Sequence, residues 1–234
     1  PGTAGVLDRR VRNGTGDITQ GPAMSRDECL RAIEVGMELV REQKAAGADI
    51  LATGEMGIGN TTTSSAVASV LLGLPPAQVT GRGAGLSDAG LARKIAAIER
   101  AVSINRPDPA DPVDVLSKLG GLDLAGLCGV FLGGAEYRIP VLVDGFISAV
   151  AALCAVRQKP EAGSAMLASH VSAEPAGRLV LDELGLKPLI TAGMRLGEGS
   201  GAVAALPLLD IALAVYHSGH TFDRMGMEPY IPQN

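Results

Sequence analysis

Between Ser25 and Lys44 the apolar residues Leu30, Ile33, Met37 and Val40 recur at the spacing of one helix face. Ser25 stands at the start with Glu28 three residues on, the arrangement in which side chain and backbone cap each other. The pattern then changes. Ala48 to Gly54 is a short apolar run closed by glycine, which predicts a buried strand. The loop Gly54-Glu55-Met56-Gly57-Ile58-Gly59 follows, and Asn60-Thr61-Thr62 lead into a helix through Leu72. A second glycine loop, Gly81-Arg82-Gly83-Ala84-Gly85, precedes a helix from about Ser87 to Ser103 that carries Arg93 and Lys94. Asn105 to Pro112 is rich in proline and aspartate and reads as a turn. Val113 to Leu132 reads mostly as helix, and Ile139 to Val143 as a strand followed by Asp144-Gly145 and another helix. Ser169 to Ser172 follows a short apolar run, and Pro175 to Leu184 predicts a helix with proline in its first turn. A third glycine loop, Gly197-Glu198-Gly199-Ser200-Gly201, opens a last helix. Strands alternating with helices across short glycine turns imply an α/β fold, a Rossmann-like parallel sheet with helices on both faces.

Two apolar stretches approach the length of a membrane span. Ile139 to Val156 is interrupted by Pro140 and Asp144, and Ala202 to Tyr216 by Pro207 and Asp210. A span needs about 20 uninterrupted apolar residues, so both read as buried elements of the core. No signal peptide is visible in the opening PGTAGVLDRR. Hydrophobic residues make up 47% of the 234, which excludes intrinsic disorder. The formal charge of −5 and the absence of a basic run argue against nucleic acid and against a polybasic membrane surface. Cys29, Cys128 and Cys154 lie far apart among apolar neighbours, without a C-x-x-C pair. They read as buried, reduced thiols, and the location as cytoplasmic.

The glycine loops carry the candidate chemistry. Glycine brings backbone close to a ligand, and a helix N-terminus offers free N–H groups and partial positive charge. Phosphate binding is the functional reading; a plain structural turn is the alternative for any single loop. Known nucleotide motifs fail. Asn60 and Thr61 follow Gly59 where a P-loop requires lysine, and Leu86 stands where the dinucleotide fingerprint requires its last glycine. Lys94 is either a phosphate contact reaching across from its helix or a solvated surface lysine. Glu55 and Glu198 are each flanked by glycine in a loop opening a helix. They are either acids comfortable at a positive helix end, or a pair dividing proton removal and charge stabilisation. Asp144, directly after a strand, sits where α/β enzymes place ligand-binding residues, or caps the helix that follows. His217 and His220 lack a third metal ligand nearby. Ser148 is not in a G-x-S-x-G elbow.

Several blocks together resemble one family. Gly54-Glu55-Met56-Gly57-Ile58-Gly59-Asn60-Thr61-Thr62 is similar to the signature of nicotinate-nucleotide–dimethylbenzimidazole phosphoribosyltransferases. Further matching blocks are Gly21 to Ser25 (GPAMS), Ile139 to Ser148 (IPVLVDGFIS), Ser169 to Gly177 (SHVSAEPAG) and Gly193 to Gly201 (GMRLGEGSG), in the family's order over essentially the whole chain.

The resemblance implies transfer of phosphoribosyl from nicotinate mononucleotide to 5,6-dimethylbenzimidazole, in the lower-ligand branch of cobalamin synthesis. The products are α-ribazole 5′-phosphate and nicotinate, formed with inversion at the anomeric carbon. It implies Glu198 as catalytic base, and Glu55 and Gly57 in the loop that holds ribose and phosphate. Lys94, Ser172 and Gly201 are the implied further phosphate contacts, and Met56 and Leu196 the lining of the base pocket. It implies no cofactor, no metal and a homodimer. Members of the family carry a sizeable N-terminal stretch before the G-P-A-M-S block. Residues 1–234 therefore read as the large domain, with the small helical domain largely missing. Two rivals stand beside this reading: a catalytically inactive domain that binds a nucleotide or azole, and a nucleotide-dependent oxidoreductase using Gly81 to Gly85.

Overall fold

The computed structural model describes residues 5–228 and 231. Its first helix, α1 (Arg26–Ala45), is capped as its sequence predicts: the Ser25 side chain accepts from Glu28 N–H, and Glu28 accepts from Ser25 N–H. The chain continues through β1 (Leu51–Ala52), α2 (Asn60–Leu72), α3 (Pro76–Val79), α4 (Asp88–Asn105), α5 (Pro112–Leu119) and α6 (Leu122–Glu136). β2 (Val141–Val143), α7 (Phe146–Gln158), a 3₁₀ turn (Pro160–Ala165) and β3 (Met166–Ala168) follow. The described chain closes with α8 (Gly177–Glu183), α9 (Ser200–His217) and α10 (Phe222–Met225).

The three strands pair in parallel in the order β1-β2-β3, with Leu51 opposite Val141 and Leu142 opposite Leu167. A parallel bridge between His170 and Ile190 extends the far edge. Helices flank this sheet, and β2, buried along its whole length, lies against α6 and α7. The core is aliphatic and alanine-rich, centred on α7, where every residue from Phe146 to Ala155 is buried. α1 lies closely along α6, because Gly36 and Gly129 face each other's helix: a Cβ at Gly129 would overlap the Ile33 carbonyl. The three cysteines are free and buried, and burial pushes the Cys29 thiol up to about 12.

Four expectations need correction. The strand expected over Ala48 to Gly54 is ordered as strand only at Leu51–Ala52, although the ladder reaches Thr53, whose N–H donates to Leu142 O. The helix expected over Val113 to Leu132 is two, since Gly120 and Gly121 are both extended and separate α5 from α6. Pro175 lies in a turn before α8 rather than inside its first turn.

The fourth is the largest. The apolar pattern predicts burial for Ala202 to Tyr216, yet α9 buries only Gly201, Ala202 and Ala205. Val203 is 60%, Ile211 62% and Val215 70% exposed. Pro207 does not interrupt the helix, which by length and composition alone would suffice to cross a membrane. Apolar residues run round its whole circumference, but only its N-terminal turn meets the ends of the strands.

Candidate active site

The C-terminal ends of parallel strands are where α/β folds open a crevice, and the glycine loops converge there. One cleft is walled by Glu55, Met56, Gly57 and Ile58 after β1, by Asp144 to Ser148 after β2, and by His170, Ser172 and Glu174 after β3. Thr61, Gly83, Ala84, Arg195, Leu196 and Gly197 complete its lining.

Glu55 is held from two directions. Its Oε2 accepts from Gly57 N–H at 2.7 Å and from the Asn60 side-chain amide. Asn60 also donates to Asp123 Oδ2 at 2.7 Å, so one amide joins two carboxylates and fixes the first. The loop bearing Glu198 is stitched to the loop bearing Glu55: Glu198 N–H donates to Glu55 O at 2.7 Å. Gly54 lies so close to Gly199 that a Cβ at Gly54 would stand 2.7 Å from Gly199 Cα and nearer still to its nitrogen. Gly197, Glu198 and Gly199 take three successive left-handed conformations, with φ of 78°, 58° and 77°. For the glutamate this is a strained region, maintained by the loop contacts on either side.

Lys94 is buried rather than solvated. Its ammonium donates to Thr61 Oγ1 at 2.9 Å and to Gly81 O at 3.0 Å. Burial pushes its pKa below the usual lysine value, opposed by the Glu174 carboxylate. Glu174 Oε2 is itself buried without a hydrogen-bond partner among the described residues. The neighbouring N-terminus of α2 has Gly59 as cap, with no side-chain capping bond and no acid in its first turn. A buried cation beside an uncapped helix end is suited to an anion.

His170 is buried with its Nδ1 3.0 Å from Ser169 Oγ. That hydroxyl donates to Val143 O at 2.7 Å, so Nδ1–H of the neutral ring is the donor to Ser169. Burial pushes the imidazole pKa down, opposed by Asp144. The unfolded chain therefore binds more protons than the native one as pH falls below about 6.5, the ordinary imidazole value. The stability associated with His170 is complete above that value and is lost as pH falls toward the lowered native pKa. Unfolding midpoints should decline over this acid range, and a His170→Gln variant should show a shallower decline; parallel curves would refute the assignment.

Residues 2–227 match the family model described as Phosphoribosyltransferase. The chain belongs to the nicotinate-nucleotide–dimethylbenzimidazole phosphoribosyltransferase family. A relative of that name from Ruminiclostridium cellulolyticum is 51% identical over 97% of this chain. One from Acetivibrio thermocellus is 51% identical over 98%. The chain spans 65% of the length of each. The crystal structure of CobT from Thermus thermophilus superposes with a TM-score of 0.91 at 42% identity, covering 98% of this chain and 68% of that one.

Of the residues the family resemblance singles out, Glu55, Met56, Gly57, Ser172 and Leu196 line the cleft. Lys94 reaches it from behind through Thr61. Glu198 stands exposed at the rim, next to cleft-lining Gly197. Gly201 lies beneath: its N–H already donates to Asp144 Oδ1 at 2.9 Å, and a Cβ there would overlap the His170 ring. The resemblance does not single out Asn60, Glu174 or His170. In the sequence Asn60 adjoins the Gly59 turn and His170 a strand end, and all three fall inside the blocks that match the family.

Proposed function

We propose that the protein transfers phosphoribosyl from nicotinate mononucleotide to 5,6-dimethylbenzimidazole, yielding α-ribazole 5′-phosphate and nicotinate for cobalamin synthesis. The observation that supports this reading is a cleft lined by Glu55, with the Glu198 loop bonded to the Glu55 loop and the buried Lys94 behind Thr61, in a member of this family. Lys94, Ser172 and the N-terminus of α2 take the phosphate. Glu55, fixed by Gly57 and Asn60, positions the ribose. Met56 and Leu196, 65% and 69% exposed, present apolar surface to the planar bases. Gly201 contributes by lacking a side chain, which lets His170 and Asp144 approach the helix end.

The nucleotide's C1′–N bond breaks as the azole nitrogen attacks C1′ from the opposite face. The breaking bond's electron pair returns to the pyridinium nitrogen, so nicotinate leaves without needing a proton. The proton on the other azole nitrogen passes to Glu198. Carboxylates beside the cleft stabilise the positive charge that develops at C1′. The proposal retains from the resemblance a large-domain assignment for 1–234, a cytoplasmic homodimer and no cofactor.

Calorimetry with nicotinate mononucleotide tests the phosphate site. Lys94→Ala should weaken binding roughly 10–100-fold, the loss of one charge-assisted hydrogen bond. Because the native lysine's pKa is lowered, wild-type affinity should fall as pH rises through a range where an ordinary lysine is still charged. Unchanged affinity in Lys94→Ala would remove Lys94 from the phosphate site.

A further inference from the structure

Asp144 is the residue after β2 that the sequence leaves between ligand binding and capping of the next helix. It does not cap that helix. Its side chain turns away from α7, whose cap residue Gly145 has no side-chain capping bond, and crosses to the start of α9. There Oδ2 accepts from Gly199 N–H at 3.1 Å, and Oδ1 accepts from Gly201 N–H at 2.9 Å and Ala202 N–H at 3.1 Å. These donors stand at the N-terminus of α9, where a helix has no partners of its own to offer. α9 cannot supply them locally: its cap residue is Gly199, its first turn holds no acid, and Ser200 Oγ has no hydrogen-bond partner among the described residues.

The carboxylate is itself fixed. Asp144 is 3% exposed, and its N–H donates to Thr53 Oγ1 at 3.2 Å, which in turn donates to Leu142 O at 2.8 Å. Thr53 follows β1 and leads directly into the Gly54–Glu55 loop. The ends of β1 and β2 and the beginning of α9 thus meet at one residue, through its backbone N–H and its carboxylate.

We propose that Asp144 is a positioning residue that locks the Gly197-Glu198-Gly199 turn and so sets where the Glu198 carboxylate stands. Gly199 is bonded to Asp144 on one side of Glu198, and Glu198's own N–H is bonded to Glu55 O. With both attachments made, the left-handed φ of 58° at Glu198 is held against its intrinsic cost. Asp144 also fills the positive end of α9 with a fixed negative charge.

This inference rests on the reading of Glu198 as base, and its test separates the two. The decisive variant is Asp144→Asn in the protein, because an amide has only one acceptor oxygen. The orientation preserving most bonds keeps Gly201 and Ala202 on the oxygen and turns an N–H₂ toward Gly199. Hydrogen exchange resolved to single amides should then show Gly199 exchanging roughly ten- to a hundredfold faster. Gly201, Ala202 and amides of α1 and α6 should stay protected. The kcat should fall while KM for nicotinate mononucleotide stays within about threefold, as for an interaction expressed only in the transition state. Asp144→Ala should free all three amides, and Asp144→Asn with Glu198→Gln should be no slower than Glu198→Gln alone.

Unchanged exchange at Gly199 in Asp144→Asn would overturn the anchor. Losses that multiply in the double variant would show that Asp144 acts other than through Glu198, and would overturn its positioning role. If Glu198→Gln keeps its kcat, the base reading fails, and the exchange result alone then decides whether Asp144 anchors the turn.

Discussion

Glu198→Gln is expected to lower kcat roughly 10²–10⁴-fold, the usual contribution of a general base, with KM for nicotinate mononucleotide nearly unchanged. The amide keeps the length and shape of the side chain and the left-handed turn beneath it. Glu198 makes its loop contact through backbone N–H to Glu55 O, so the substitution leaves that bond intact. What it removes is a proton acceptor at the rim of the cleft. Steady-state kinetics with the nucleotide varied at saturating base separates the constants. A Glu198→Gln enzyme with near-normal kcat, beside a Glu55→Gln enzyme that has lost it, would exchange the roles of the two acids.

Gly54→Ala should be comparably damaging through geometry alone. The added Cβ would meet the Gly199 backbone at 2.7 Å and less, and backbone on both sides leaves nothing flexible to yield. The two glycine loops must separate, breaking the Glu198 N–H to Glu55 O bond and displacing both carboxylates. A displacement near 1 Å is enough to cost about 100-fold in rate. Here kcat and KM should both worsen, since Glu55 and the cleft-lining Met56 and Leu196 move together. Retention of more than half the wild-type kcat/KM would show that the close approach of the loops is not needed.

The local pattern along the chain carried much of this architecture. Ser25 and Glu28 form the cap their spacing predicts, and Gly59 and Gly199 open α2 and α9 where the glycine loops end. The α/β class follows from alternation, which survives errors in individual boundaries. What failed was anything decided by contacts distant in sequence. Asp144 sits one residue before the cap of α7, and one local reading assigns it to that helix. Its bonds go instead to Gly199, Gly201 and Ala202, more than fifty residues on. Lys94 resembles any helix lysine until Thr61 and Gly81 O are placed around it. α9 shows the opposite error. An all-apolar helix is normally read as a core element, but apolarity states a need for cover without naming what supplies it. Among the described residues α9 is covered only at its first turns.

The identity and anomeric configuration of the reaction product test the central claim most directly. The protein is incubated with nicotinate mononucleotide and 5,6-dimethylbenzimidazole, and the products are separated by chromatography and examined by proton NMR at the anomeric position. Phosphoribosyl transfer at this cleft predicts nicotinate and α-ribazole 5′-phosphate in equal amounts, with none of the β-anomer. Nicotinate released with free ribose 5-phosphate, a β-configured product, or no nicotinate although both substrates bind would contradict it.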